Sequence, residues 1–302
     1  MPSPALRPLD LREIFDRAFE LYRSSIAVLL PVALTIQAAA FVASLALGTG
    51  AGAVTFDQIV AEARPERLLE LIGLAVGNGA IQIAFSSLSA ALLVSGLDQA
   101  FWDRPVLLRD GLRCCRERGL PMLATLALLG AIFGLCLFAV PALALWLLAP
   151  PWSWLFALAG LVLGGLVALF LGLRFALAPL VVLIERQGAS TSLRRGAELL
   201  GPLRGDGGLL ENAWLRSSVL ILGPFLLQLS VAFVAGALSW LFGGRPWEGA
   251  GTLAPLVSAV TAALLQPFVW ALLLVHYYDR RVRREGLDLE IRARSMLEEL
   301  AS

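Results

Sequence analysis

A few polar side chains stand inside long apolar stretches of this 302-residue chain, and they are the ones whose type and spacing could do chemistry. Asn78, Gln82 and Ser86, with Ser89, recur on one side of a helix through the second apolar run. Amides in hydrocarbon need partners, so this side either hydrogen-bonds to neighbouring helices or lines a water-filled or substrate pathway. Gln228 with Ser230, and Gln266 beside Pro267, could complete either arrangement. Arg174 is the most informative charge. Counting from Ser153, a helix has risen about 30 Å by residue 173, so Arg174 reaches the inner interface just as the apolar run Phe175 to Ile184 begins. Glu185 closes that run, and Asp279 ends the sixth span. Either is a candidate partner for Arg174, as an interfacial ion-pair anchor or as a gating or substrate-contacting charge. His276, the only histidine, precedes Tyr277 and Tyr278; it reads as an interfacial imidazole beside snorkelling aromatics, with a proton relay as the alternative. There is no Walker loop, nucleophile elbow, metal-ligand helix or pair of intramembrane carboxylates. The expectation is a protein that is not an enzyme and uses no metal or cofactor.

The elements that must position these residues are set by composition. Hydrophobic residues make up 58% of the chain and charged residues 16%, with a mean hydropathy of +0.79. Runs of about 18 or more apolar residues cannot be folded away inside a small soluble domain. Six occur: Ser24 to Leu47, Leu68 to Leu97, Leu120 to Leu148, Ser153 to Leu173 with an extension, Ser217 to Phe242, and Leu253 to Tyr277. Backbone groups in lipid must be satisfied internally, and these runs lack the two-residue alternation of a barrel strand, so each is predicted to be a helix. The predicted class is all-α: a polytopic integral membrane bundle of about six transmembrane helices with cytoplasmic amphipathic helices. The chain reads as one helical membrane domain over residues 1–302, with an amphipathic helix at 1–23, a six-span bundle at 24–277 and a cytoplasmic tail at 278–302.

Arginine asymmetry gives orientation. The chain has no Lys; four Arg precede the first span, five lie between spans two and three, six surround the stretch from Arg174 to Arg216, and six follow Tyr278. The opposite side holds Arg64, Arg67 and Arg245. Both termini are therefore expected in the cytoplasm, which an even number of spans also requires. Interleaved acids among the first arginines are unlike a signal peptide, so the amino terminus is expected to be retained. The net charge of +1 argues against a nucleic-acid surface. Cys114, Cys115 and Cys136 form no zinc or disulfide pattern. The expected partners are the lipid bilayer and a membrane or envelope enzyme, with oligomeric state left open.

Leu11, Ile14, Phe15, Ala18, Phe19 and Tyr22 fall on one helical face opposite charged residues. Such a helix either lies on the inner leaflet or packs against the bundle. Related stretches, Leu107 to Gly119 and Ser190 to Leu203, precede the third and fifth spans. With Leu11-Arg12, Leu108-Arg109 and Leu193-Arg194 at comparable places, they point to three repeated helix-hairpin units, and Gly201-Pro202 and Gly205 to Gly208 break the third amphipathic helix. Gly160, Gly164, Ala168 and Gly172 line span four at four-residue intervals, a stripe that lets another helix approach closely.

Three segments carry a family likeness: Arg7-Pro-Leu-Asp-Leu-Arg-Glu-Ile-Phe-Asp-Arg-Ala-Phe-Glu-Leu-Tyr-Arg; Arg174-Phe-Ala-Leu-Ala-Pro with Glu185 and Ser192-Leu-Arg-Arg-Gly-Ala-Glu-Leu; and Tyr277-Tyr-Asp-Arg-Arg-Val-Arg-Arg-Glu-Gly-Leu-Asp-Leu-Glu. Through them the chain resembles the glycerophosphoryl diester phosphodiesterase membrane-domain family of bacteria. The resemblance implies a helical module of the bacterial inner membrane serving an envelope or lipid-related enzyme, and brings no binding residues. Its hydrolase activity is not carried over, because this chain has no room for the soluble barrel of the fused members and only one His. Two functions remain in competition: a non-enzymatic module that anchors or regulates a partner, and a small permease or lipid transporter with a polar pathway near span two.

Overall fold

The computed structural model describes residues 7–46, 65–147, 152–201, 213–243 and 250–301. The stretch from Gly48 to Arg64, the glycines at 205–208, Arg245 and Trp247 lie outside them. The described residues form nine helices and no strand: α1 (Leu11–Ala46), α2 (Pro65–Phe101), α3 (Leu108–Leu147), α4 (Trp152–Arg174), α5 (Ala178–Ile184), α6 (Ala189–Leu200), α7 (Ala213–Gly243), α8 (Ala250–Glu285) and α9 (Leu287–Ala301). Six segments are long and apolar enough to cross a membrane: Leu11–Ala46, Val76–Phe101, Leu108–Ala144, Leu155–Ile184, Trp214–Val231 and Leu256–Glu285. This is a multi-pass helical membrane protein. Hydroxyls inside these helices bond back to the preceding turn, as Ser25 does to the Leu21 carbonyl, Ser87 to Ile83, Thr125 to Pro121 and Thr261 to Val257. A polar side chain in an apolar helix is satisfied in this way without a second helix.

The amphipathic stretch at the amino terminus and the first span are one helix of 36 residues rather than two elements. Its buried residues, Ile14, Ala18, Leu21, Ser25, Leu29, Ala33, Ile36, Ala40 and Ser44, follow a single stripe of three- and four-residue steps. One buried face thus runs through the boundary at Ser24, and no Gly or Pro lies between Leu11 and Leu30 to end the helix there. The stretch before span three likewise continues directly into α3, a helix of 40 residues. The one before span five is a separate helix, α6, of 12 residues. The apolar run Phe175 to Ile184 does not simply extend α4 but holds a separate short helix, α5. A turn at residues 175–177 ends α4, and α5 begins with Pro179 in its first turn, where a fixed φ and a missing N–H cost nothing.

The residues fall into two compact units. One takes Met1–Leu11, Leu120–Ser218 and Val275–Ser302, the other Arg12–Gly119 and Val219–Leu274. In the first, α5 and α6 pack together around Leu129, Ala178 and Leu193, with Leu126, Phe133 and Phe175 against them. Gly196 permits this, since a Cβ there would sit 2.8 Å from the Ala178 nitrogen. Gly160, Gly164 and Gly172 of α4 lie against Val140, Cys136 and Phe133 of α3, while Ala168 on the same helix is half-buried. In the second unit, Phe19 and Tyr22 each meet Phe268 edge to face, with Tyr22 and Phe268 centroids 5.8 Å apart, and are tilted against each other.

A Cβ at Gly164 would overlap the Cys136 carbonyl oxygen and approach Leu137 Cα, whereas one at Gly73 meets nothing within 4 Å. Overpacking of this kind costs about 1–3 kcal/mol. Gly164→Leu should therefore lower the midpoint of thermal unfolding in detergent and Gly73→Leu should not; equal midpoints would refute the close approach of α3 and α4.

Candidate functional site

The polar chemistry of the first unit gathers around the arginine-rich end of α8. Every residue from Val275 to Arg280 is buried, so the polar groups at this end of α8 must find partners within the protein.

Asp279 is the first of these. Its side chain has no solvent exposure and Arg216 on α7 has only 4%, with 3.7 Å between them. The carboxylate also accepts the backbone N–H of Leu9 at 2.8 Å and the Arg283 Nε–H at 3.0 and 3.1 Å. The Leu9 carbonyl in turn accepts from Arg216 and from Arg283, both at 2.8 Å. Three side chains thereby hold both backbone groups of one extended residue just before α1. A buried ion pair is favourable only when such extra hydrogen bonds offset its desolvation.

The second cluster closes the C-terminus of α6. A helix ends with carbonyls that have no partner within it and with the negative end of its dipole. Arg280, buried, donates to the Leu199 carbonyl at 3.0 Å and to Leu200 at 3.3 Å. Arg174 donates to the Gly201 carbonyl at 2.8 Å, and the Trp214 indole N–H donates to the same oxygen at 3.3 Å. Trp214 stacks on Phe170 with centroids 5.0 Å apart, and the Arg174 guanidinium lies 5.7 Å from the Trp214 ring. Gly201 has φ +79°, a left-handed conformation that favours glycine, and a Cβ there would lie 3.0 Å from the Arg284 guanidinium.

The third joins α5, α6 and α8. Glu185 accepts from Arg195 at 3.1 Å and from the Tyr277 hydroxyl at 2.8 Å, and Arg195 also pairs with Glu285. Partial burial lowers the pKa of Arg195, but hydrogen bonds and charges from Glu185 and Glu285 outweigh it and leave the pKa raised. Arg281 pairs with Glu285 at 3.0 Å and sits 5.9 Å from the Tyr277 ring centroid.

A fourth contact sets the Ser217 hydroxyl 2.8 Å from His276 Nε2. That is the distance of a nucleophile and its base, yet each residue is only 1% exposed. Among the described residues His276 Nδ1 has no hydrogen-bond partner, and Asp279 is committed to Leu9, Arg216 and Arg283.

Of the residues singled out in the sequence, Arg174, Glu185 and Asp279 share this unit, but not as partners of one another. Arg174 serves a helix-terminal carbonyl, Glu185 binds Arg195 and Tyr277, and Asp279 binds the amino-terminal segment. His276 is buried, and Ser217 on α7 is its hydrogen-bond partner. Arg280, Arg281 and Arg283 are tied into the fold as well as into the charge asymmetry. The i, i+4 pairs Asp279–Arg283 and Arg281–Glu285 follow from helical spacing; the contacts of Arg195, Trp214, Arg216 and Ser217 have no comparable signal.

Asn78, Gln82 and Ser86 belong to the second unit. Ser44 donates to Asn78 Oδ1 at 2.9 Å and Gln82 Nε2 donates to Ser44 at 3.4 Å, while Ser86 is half-buried. Gln37 on α1 donates to Gln266 on α8 at 3.2 Å. No group of three His, Cys, Asp or Glu able to hold a metal occurs among the described residues. Comparison with protein-family models, with curated proteins and with solved structures finds no match.

Removing the Asp279 charge leaves two arginines gathered around a neutral group. Breaking a buried pair typically costs about 3–5 kcal/mol, so Asp279→Asn should lower the unfolding midpoint strongly and speed tryptic cleavage at Arg12. An unchanged midpoint with an unchanged cleavage rate would remove the clamp as a structural element.

Proposed function

We propose that this multi-pass membrane protein is a non-enzymatic module that anchors or regulates a membrane- or envelope-associated partner from its arginine-rich face. The observation that carries the reading is that the charged groups at the ends of α6 and α8 are bound to one another and to backbone. They build a fixed polar platform with its reactive groups buried. The first turns of α1 keep a charged surface of their own, with the side chains of Arg12 92% and Asp16 73% exposed. The resemblance of its terminal and central motifs to the glycerophosphoryl diester phosphodiesterase membrane-domain family supports the same reading. The corresponding proposal for location is the bacterial inner membrane, with both termini cytoplasmic, in keeping with the arginine distribution.

The test is affinity purification of the tagged chain from native membranes in mild detergent, with native mass spectrometry of whatever is retained. The wild type should hold a stoichiometric enzyme. Arg12→Glu combined with Asp16→Arg reverses the surface pattern and keeps the i, i+4 pair, so it should insert normally and lose that enzyme. Undiminished retention would overturn the role of the α1 surface.

A second reading, a small permease or lipid transporter, is favoured by one set of contacts: Ser44 with Asn78 and Gln82, and Gln37 with Gln266, all within apolar helices. On that reading the purified protein holds one lipid or solute and no enzyme. Asn78→Leu with Gln82→Leu should then abolish uptake in vesicles while the protein still folds, and full uptake would exclude the pathway.

A further inference from the structure

The turns of α3 that precede the apolar run at Leu120 are oriented by α2. Gly111 is buried against Leu92, whose Cδ2 would lie 3.1 Å from a Cβ at that position. Gln99 on α2 accepts the Leu107 N–H at 2.7 Å and donates to the Asp110 carboxylate at 3.2 Å. The leucines of the same turns stay outside this contact: Leu107 is 51% exposed, Leu108 44% and Leu112 59%. Leu108 and Leu112, four residues apart, share one stripe of the helix.

Arginines border that stripe. Arg109 stands three residues before Leu112 and Arg116 four residues after it, so both are its neighbours on the helix surface. Both are exposed, and among the described residues neither makes an ion pair or a side-chain hydrogen bond. The acids of these turns are engaged elsewhere. Glu117 is held by Arg113 at 2.8 Å and Asp110 by Gln99, and helical spacing sets both acids on the far side of Arg113 from the leucines. From Asp103 to Gly119 the chain carries five Arg against three acids. The surplus is positive and lies beside the leucines.

We propose that this face binds an anionic phospholipid leaflet. Leu108 and Leu112 enter the boundary between headgroups and acyl chains, and Arg109 and Arg116 engage the lipid phosphates. An exposed apolar stripe edged by basic residues is the pattern that holds a helix in a bilayer interface. The apolar run of the same helix starts eight residues after Leu112, about 12 Å along the axis, so the leaflet is already at hand and its binding carries no separate association cost. A soluble protein would bring that cost, and three leucines on two turns fall short of the roughly 20–30 residues a side that a stable protein interface uses. Binding of the leaflet is independent of whether the protein also holds an enzyme.

The experiment places an environment-sensitive fluorophore at Leu112→Cys, with Glu117→Cys as the control position, in chains whose Cys114, Cys115 and Cys136 are replaced by Ser. Each chain is reconstituted singly in nanodiscs of phosphatidylcholine, alone or mixed with phosphatidylglycerol. With phosphatidylglycerol the probe at 112 should shift to the blue and be quenched by nitroxide-labelled lipid, while the probe at 117 stays open to iodide. Arg109→Gln with Arg116→Gln should lower the inserted-to-aqueous ratio at 112 at least about fivefold, the contribution of one such charge at an anionic surface. A probe at 112 that stays open to iodide in both lipids leaves the stripe to a protein and overturns the proposal. Insertion that is the same with and without phosphatidylglycerol overturns it too, as does insertion that needs two copies in a disc, which assigns the stripe to a second copy. A further measurement keeps the cysteines and leucines in place. Native mass spectrometry of protein released from the mixed discs should find phosphatidylglycerol retained by the wild type and lost from Arg109→Gln with Arg116→Gln; equal retention by both refutes the arginine contact and the proposal with it.

Discussion

A carboxylate without access to water governs the arrangement of the first unit. Moving an ion out of water costs several kcal/mol even after relaxation, and Asp279 meets that cost with two guanidinium groups and a backbone N–H. Because Arg216 and Arg283 also need acceptors, the Leu9 carbonyl completes the set. The amino-terminal segment, α7 and α8 are thereby fixed by groups that cannot be rearranged singly without leaving a charge or a backbone group unpaired. The same constraint draws Arg216 and Arg283 toward one carboxylate.

α6 depends on this end of α8 from the opposite direction. A short helix leaves a large fraction of its carbonyls without internal partners, and α6 satisfies its last ones with Arg280, Arg174 and Trp214. Its first turns are held by Gly196 against Ala178 and by Arg195 between two glutamates. The neighbouring helices therefore supply both the packing and the capping that 12 residues cannot provide alone.

The helical class and the six apolar crossings were legible in the sequence because they depend on local quantities, run length and polarity, that the chain displays directly. The amphipathic face of Leu11 to Tyr22 was legible only in part: Ile14 and Ala18 are buried, but Phe19 is exposed, and Leu21, outside that face, joins the buried stripe from Ile14 to Ser44 that runs on through the span. The candidate site divides in the same way. Arg174, Glu185 and Asp279 stood out because charges beside hydrocarbon are costly, but their partners lie on other helices and one of those partners is a main-chain carbonyl. No spacing rule reaches Arg216, Ser217 or Trp214.

The Leu9 clamp also constrains the order in which the protein can be completed. Leu9 and Asp279 are 270 residues apart, so the Leu9 N–H waits for the end of α8 before its acceptor exists. Long-range closure of this kind comes late in assembly. Until α8 is in place, Arg216 lacks its carboxylate and α6 lacks Arg280, so a chain interrupted before the last span presents unpaired charge and a fraying helix at the membrane surface. The contact can therefore close only after the end of α8 has been made.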